Sequence, residues 1–386
     1  MSSYSSFARQ TQQMMRCCLV AVLLLANLSS CATASRIDDA RLEHDITFFT
    51  SYGYQREGSW HIPFRVWVNE SPNTVRELTA RGARRLLRNV AHIEELSEHQ
   101  KARYLWRVRD FVANSKSERV VSLMFDHDPE KERFLLQGSN GESETDFNGV
   151  LQGTLTIGIK KVRQLMDAQN SHDNWLSFQT SSGEFEGRGR VQLVPHDGLT
   201  VISDIDDTTR ITGITQGSQV VVDNVFFSDY KAAPCMAPMY RSLEDDAVFH
   251  YVSGAPWQLY EPTTDFLFSE PAEFPHGSVH MKNVRTNFLE KDSFVDFWKL
   301  TGLAGSATIA QKTRIIENIL RHFPEREFIL IGDSGEHDPE IFADMRSRYP
   351  EQIHSIRIRD VVNAAVNQPA RLADMMIIPP DAASCS

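Results

Sequence analysis

The sequence predicts two successive architectures: a β-rich, sandwich-like region over residues 46–195, then an α/β layer domain with a parallel sheet over residues 196–368. Three observations carry this reading. Short apolar runs separated by turn residues fill much of the first half. From Gly198 onward, apolar strands alternate with segments of helical period, the pattern of a parallel sheet covered by helices. At the junction, GLTVISDIDDTTRITG (residues 198–213) sets the end of an apolar strand directly against three aspartates.

The 386 residues are 41% apolar and 24% charged, an ordinary globular composition with room for about two domains. A net charge of -11 argues against general nucleic-acid binding and against broad adhesion to an anionic membrane. Residues 1–31 read as a targeting segment: a polar start with Arg9 and Arg16, then the apolar run CCLVAVLLLANL, too short to span a bilayer. Leu28-Ser29-Ser30-Cys31 resembles a bacterial lipobox, which implies cleavage before Cys31 and lipidation of that cysteine. Ordinary secretion, with cleavage after Ala34, is the alternative. Residues 32–45 form a polar tether. The expected location is therefore the bacterial cell envelope, lipid-anchored through Cys31 and facing the periplasm. Cys17 and Cys18 leave with the signal, so Cys235 and Cys385 remain; an oxidising compartment permits a bridge between them, and their pairing stays open.

Within the β-rich region, SWHIPFRVWV places Ile62, Phe64, Val66 and Val68 on one face at strand period. Residues 74–114 are charged and helical in period, punctuated by Gly82. Arg76, Arg81, Arg84, Arg85 and Arg88 could face anionic headgroups there, but a solvated face balanced by Glu94, Glu95 and Glu98 is the simpler reading. Five β-like runs follow, from ERVVSLMF to GRGRVQLV, with turn chemistry between them. This region carries no recognisable chemistry, and its protein partner is unknown.

In the α/β half, LTVISDID, AVFHYVSG, REFILIGD and IHSIRIRDV read as strands. ATIAQKTRIIENILRHFP is a helix, and DPEIFADMRSRYP begins another with Asp338 as N-cap and Pro339 in the first turn. Residues 369–386 are a tail. Ligand sites in parallel sheets lie beyond the carboxyl ends of the strands, where Asp204, Ser253 and Asp333 fall. Strand alternation turns Asp204 and Asp206 to one side and Asp207 to the other. Those two carboxylates, with Asp333 and Asp338 nearby, form an oxygen-rich nest suited to Mg²⁺. A set of turn aspartates capping a helix explains one acid but not a second acidic cluster after another strand.

DIDDT, YVSG, Lys312 in AQKTRIIENIL, and IGDSGEHD occur in the order of the four motifs of the haloacid-dehalogenase-type phosphotransferases, which they resemble. The longer phrases VISDIDDTT, YVSGAPWQLY, LIGDSGEHDPEIF and IRIRDV are similar to a narrower family, over about residues 196–365. That family is the catalytic domain of the actin-patch phosphatidate phosphatase of yeast and its bacterial relatives. The resemblance implies a Rossmann-like parallel-sheet domain, a Mg²⁺ cofactor and an aspartyl-phosphate intermediate on Asp204. It implies Asp206 as general acid and base, Thr208 as support for the substrate loop, and Ser253 with Gly254 at the phosphoryl oxygens. Lys312 would neutralise charge, with Lys282 as the fallback. Asp333 would ligate the metal with Asp204 and the Asp206 carbonyl, and Asp338 would hold a metal-bound water or its geometry. The implied substrate is phosphatidate, cleaved to diacylglycerol, with another phosphorylated lipid or an envelope glycoconjugate as the alternative. Trp257, Tyr260, Phe266, Phe268 and Phe274 could meet acyl chains or be core. Two rival classes remain. GDSG is similar to the nucleophile motif of trypsin-like proteases, with Ser334 attacking, but Glu336 follows where a glycine belongs. A non-catalytic lipoprotein scaffold predicts a degraded acidic site.

Overall fold

The computed structural model describes residues 44–70, 74–181, 185–243, 246–283 and 305–381. Cys31, the signal segment, nearly all of the tether and Cys385 lie outside the described residues; Cys235 is disulfide-bonded. No described helix is long and apolar enough to cross a membrane.

Ten strands make up the first half: β1 (His44–Phe48), β2 (Ser51–Arg56), β3 (Ser59–Glu70), β4 (Asn114–Ser115), β5 (Ser122–Phe125), β6 (Phe134–Leu135), β7 (Val150–Gly158), β8 (Trp175–Thr180), β9 (Phe185–Glu186) and β10 (Arg188–Leu193). The region is β-rich as expected, and its strands are joined by hydrogen bonds into one mixed path. Its order is β6-β5-β8-β10-β2-β3-β1-β9, with β4 and β7 also on β3. The cause is the length of β3. Twelve residues long, it pairs with β2 at its start, with β1 at its end and with β7 along most of its course. Ile62, Val66 and Val68 are buried, with Phe64 partly buried against the same core.

The charged stretch forms two helices, Thr74–Val90 and Glu98–Val112. Gly82 lies inside the first and does not end it, because one glycine costs a helix only about 1 kcal/mol. The second starts on a capping box: Ser97 Oγ accepts from the Gln100 N–H, and the Gln100 side chain accepts from the Ser97 N–H. A further helix, Ile159–Gln169, was not read from the sequence; it buries Val162 and Leu165.

The second half is a six-stranded, all-parallel sheet of β11 (Leu199–Asp204), β12 (Val248–Pro256), β13 (Gly277–Lys282), β14 (Glu327–Asp333), β15 (Ile353–Arg359) and β16 (Met376–Ile378), in the order β13-β12-β11-β14-β15-β16. The four strands read from the sequence are its centre. β13 and the three-residue β16 are short edge strands with little periodic signal, and β16 comes from the segment expected to be a tail. The helices Gly305–His322 and Asp338–Arg348 cover the sheet with Ile316, Ile319, Leu320, Ile341, Phe342 and Met345.

The two halves pack tightly. Trp67 meets Trp257 edge-on at 4.6 Å between ring centroids, and Tyr104 stacks on Phe227 at 5.4 Å. The Tyr260 hydroxyl lies 2.7 Å from Thr50 Oγ1. Trp257, Tyr260 and Phe274 are buried, and Phe266 and Phe268 pack against the same cluster. These rings are therefore core that joins the halves, which overturns the acyl-chain reading.

Candidate active site

The central strands deliver the expected residues to one edge. β11 ends on Asp204, β14 ends on Asp333, and Ser253 lies near the end of β12. β11 lies between β12 and β14, so both neighbours frame the crevice beyond its carboxyl end.

Past Asp204 the chain turns sharply. The Ile205 carbonyl accepts from the N–H groups of Thr208, Thr209 and Arg210. Asp207 stands in the left-handed region at φ 56°. Its carboxylate accepts from the N–H groups of Thr212, Gly213 and Ile214 at 2.8, 2.7 and 2.6 Å. Asp207 thus braces the loop and faces away from its two neighbours. Thr208 joins the turn through its backbone, while its hydroxyl is buried without a hydrogen-bond partner.

One wall of the crevice is acidic. Lys312, on the helix Gly305–His322, donates to Asp204 Oδ1 at 2.7 Å, Asp338 Oδ1 at 2.9 Å and Glu336 Oε2 at 3.2 Å. Asp333 Oδ1 accepts from the N–H groups of Gly335 and Glu336. Burial pushes the Asp204 carboxyl well above its usual range, against the opposing pull of Lys312 and with Asp338, Glu336 and Asp333 adding repulsion. Burial also raises Asp333 and Glu336, again helped by Asp338. Asp338 is not the N-cap: His337 holds that position, and Asp338 is the first helical residue. Its carboxylate is drawn inward by Lys312 and the Asp333 N–H. Gly332 permits this approach, since a Cβ there would sit 2.5 Å from Asp338 Oδ2.

The other wall centres on Asp206, whose Oδ1 accepts from Arg210 Nη2 at 2.5 Å and Thr212 Oγ1 at 2.7 Å. Ser253 Oγ donates to Asp206 Oδ2 at 2.8 Å. Burial alone would raise this carboxyl, but Arg210 and the three hydrogen bonds outweigh it and hold it below its usual range. Two aspartates two residues apart thus stand in opposite electrostatic settings.

A cavity of ≈130 Å³ opens between the walls, lined by Asp206, Arg210, Gly254, Thr308, Lys312 and Glu336 among others. A Cβ at Gly254 would come within 2.7 Å of the Thr308 methyl, so the glycine keeps this side open. Lys282, the fallback for charge neutralisation, donates to Thr308 Oγ1 at 3.2 Å. Ser334, the protease-like serine, is 1% exposed and donates to Asp360 Oδ1 at 2.7 Å, which makes it a brace for the loop after β14. Arg210, Thr212 and Glu336 belong to the site and were missed in the sequence. Their signals were the four-residue spacing from Asp206 to Arg210 and the glutamate between the two acids of GDSGEHD.

The donor set fits a hard divalent cation. Asp204, Asp333 and Asp338 can each present an oxygen within 4.8 Å of the others. Asp204 Oδ2 and Asp333 Oδ2 are buried with no hydrogen-bond partner. All three donors are carboxylates, the ligands Mg²⁺ prefers, and Lys312 alone reaches Asp204, Asp338 and Glu336 together at hydrogen-bond distance among the described residues.

Comparison with known proteins points to the same segment. Residues 199–360 match the family model of the phosphatidate phosphatase APP1 catalytic domain. Phosphatidate phosphatase APP1 of Saccharomyces cerevisiae is 34% identical over 183 residues, 46% of this chain and 29% of that protein. An uncharacterised protein of Schizosaccharomyces pombe is 27% identical over 178 residues, 45% of this chain and 27% of its own. The chain thus spans less than a third of the length of either relative. A solved carbohydrate esterase aligns over 82% of this chain and 87% of its own at 9% identity, but with a TM-score of 0.22 it carries no argument. The part of the chain that builds the acidic crevice is the part that is similar to the catalytic domain of phosphatidate phosphatase APP1.

Proposed function

We propose that this chain is a Mg²⁺-dependent phosphomonoester hydrolase acting on phosphatidate at a membrane surface. The observation that carries the reading is the buried Asp204–Asp333–Asp338 cluster with two orphaned carboxylate oxygens, inside the segment similar to a phosphatidate phosphatase catalytic domain.

Asp204 is the nucleophile, attacking phosphorus and displacing the alcohol to leave an aspartyl-phosphate that water then hydrolyses. Attack needs the carboxylate form, which burial opposes; Lys312 offsets this cost through its hydrogen bond to Oδ1. Asp204, Asp333 and Asp338 would hold the cation, which would supply the remaining positive charge. Asp206 works on the proton. Arg210, Thr212 and Ser253 keep it ionised before substrate enters, the form that accepts a proton from attacking water. Donation to the leaving alcohol requires that Asp206 first take up a proton. Gly254 lines the cavity near the end of β12, and Ser253 beside it would turn its hydroxyl from Asp206 to receive a phosphoryl oxygen.

The lipid anchor belongs to the same proposal. A tether at Cys31 raises the effective concentration of the site over lipid substrate. Cys31→Ala should move the protein from the membrane to the soluble fraction, and continued membrane attachment would count against lipidation. The substrate is tested by phosphate release from phosphatidate, lysophosphatidate and a soluble phosphomonoester. The proposal expects the lipids to be preferred; a preference for the soluble ester would overturn the lipid assignment and leave the phosphatase chemistry standing.

A further inference from the structure

Arg210 has no part in the mechanism beyond holding Asp206, yet it is 1% exposed and more than half of its hydrogen-bonding capacity is unused. Nη2 is committed to Asp206, while Nε and Nη1 are buried with no partner at all. Leaving charged N–H donors buried and unpaired is expensive, and each planar edge of a guanidinium, Nε with Nη2 or Nη1 with Nη2, forms a fork that matches an oxyanion. The side chain lines the same cavity as Lys312 and Gly254.

Its placement is built by a second arginine. The Tyr230 ring meets two guanidinium groups, with Arg210 Cζ 4.2 Å and Arg107 Cζ 3.6 Å from its centroid. Arg107, from the helix Glu98–Val112, donates to the carbonyls of Val225 and Ser228 at 2.9 and 2.7 Å. Tyr230 thus offers its ring face to the Arg210 guanidinium, a cation–π contact that helps hold it. The support for this wall comes from the β-rich half.

We propose that Arg210 is a substrate-binding residue whose unpartnered N–H groups donate to an oxygen of the anionic group entering the cavity, with Tyr230 and Arg107 as its positioning residues. The identification of that anion as a phosphoryl group rests on the proposed function; the presence of an oxyanion subsite does not.

The test measures equilibrium binding of inorganic phosphate to the full chain by calorimetry, with no turnover, alongside steady-state hydrolysis. Arg210→Lys keeps a charge opposite Asp206 but loses the fork, and should weaken phosphate binding about ten- to hundred-fold. KM for the phosphomonoester should rise by a similar factor. Tyr230→Leu should weaken phosphate binding in the same direction, while Tyr230→Phe, which keeps the ring against Arg210, should bind like wild type. Unchanged phosphate affinity in folded Arg210→Lys would overturn the proposal, as would a loss of thermal stability in that variant with no change in affinity. Phosphate binding that depends on Arg210 in a protein that hydrolyses no phosphomonoester would sustain the subsite and sink the phosphatase reading.

Discussion

The two walls of the cavity begin two residues apart in one loop and solve opposite problems. On the Asp204 side, carboxylates crowd around a single lysine and two of their oxygens have no partner. On the Asp206 side, every carboxylate oxygen is occupied, and the unpartnered atoms belong to the arginine. The first wall is short of positive charge and the second has donors to spare. A metal ion suits the first, and an oxyanion suits the second. The DIDDT motif alone, read as three nearby negative charges, does not show this division.

The largest expected effects come from the two aspartates. Asp204→Asn and Asp206→Asn should each reduce phosphate release by about four orders of magnitude or more, measured under saturating substrate. Their stabilities should diverge. Asp206→Asn leaves the buried Arg210 without its carboxylate, a loss of about 3–5 kcal/mol by denaturant unfolding. Asp204→Asn removes one charge from a repelling group while Lys312 keeps Asp338 and Glu336, so the metal-free protein should be no less stable than wild type. Equal destabilisation by both would break the contrast between the walls.

Intermediate effects sharpen the acidic wall. Asp338→Asn should raise the Mg²⁺ concentration needed for half-maximal activity about 10- to 100-fold, as expected for a group that orients a metal site. Gly332→Ala should act in the same direction, because its new methyl would displace the Asp338 carboxylate. An unchanged Mg²⁺ titration in both variants would remove Asp338 from the site.

The smallest effect lies behind both walls. His250, His280 and His322 gather around Tyr52, which β2 supplies from the other half. Burial pushes His280 and His322 down to about 4 and His250 well below its usual range. At these histidines the unfolded chain therefore takes up protons before the folded one, and their contribution to stability falls as pH drops from about 6.5 toward 4. The melting temperature should decline over that window less steeply in His280→Gln than in wild type.

How much was legible follows from what each residue depends on. The four central strands and the two long helices of the α/β half were readable because their apolar periods are set by burial within the element itself. So were Asp204, Ser253 and Asp333 as candidates, since strand ends in a parallel sheet converge whatever lies elsewhere, with Asp206 and Asp338 close to them in sequence; Lys312, on a helix, was named only through the motif resemblance. The strand order of the β-rich half was not readable, because β3 pairs along most of its course with β7, which lies far away in sequence. Asp338 was taken for a cap because the DP dipeptide has that local meaning; only Lys312, 26 residues upstream, reveals the inward turn. Arg210 was hidden for a similar reason. Its neighbours Tyr230 and Arg107 lie 20 and more than 100 residues away, and no local pattern connects them.

The central claim is that the Asp204 wall holds a divalent cation needed for phosphate release from a phosphomonoester lipid. Its most direct test is a Mg²⁺ titration of phosphate release from phosphatidate by wild-type protein and Asp204→Asn after chelation. Saturable, Mg²⁺-dependent release in wild type and none in Asp204→Asn is the predicted result. Release that persists in chelator, or that survives in Asp204→Asn, would contradict it.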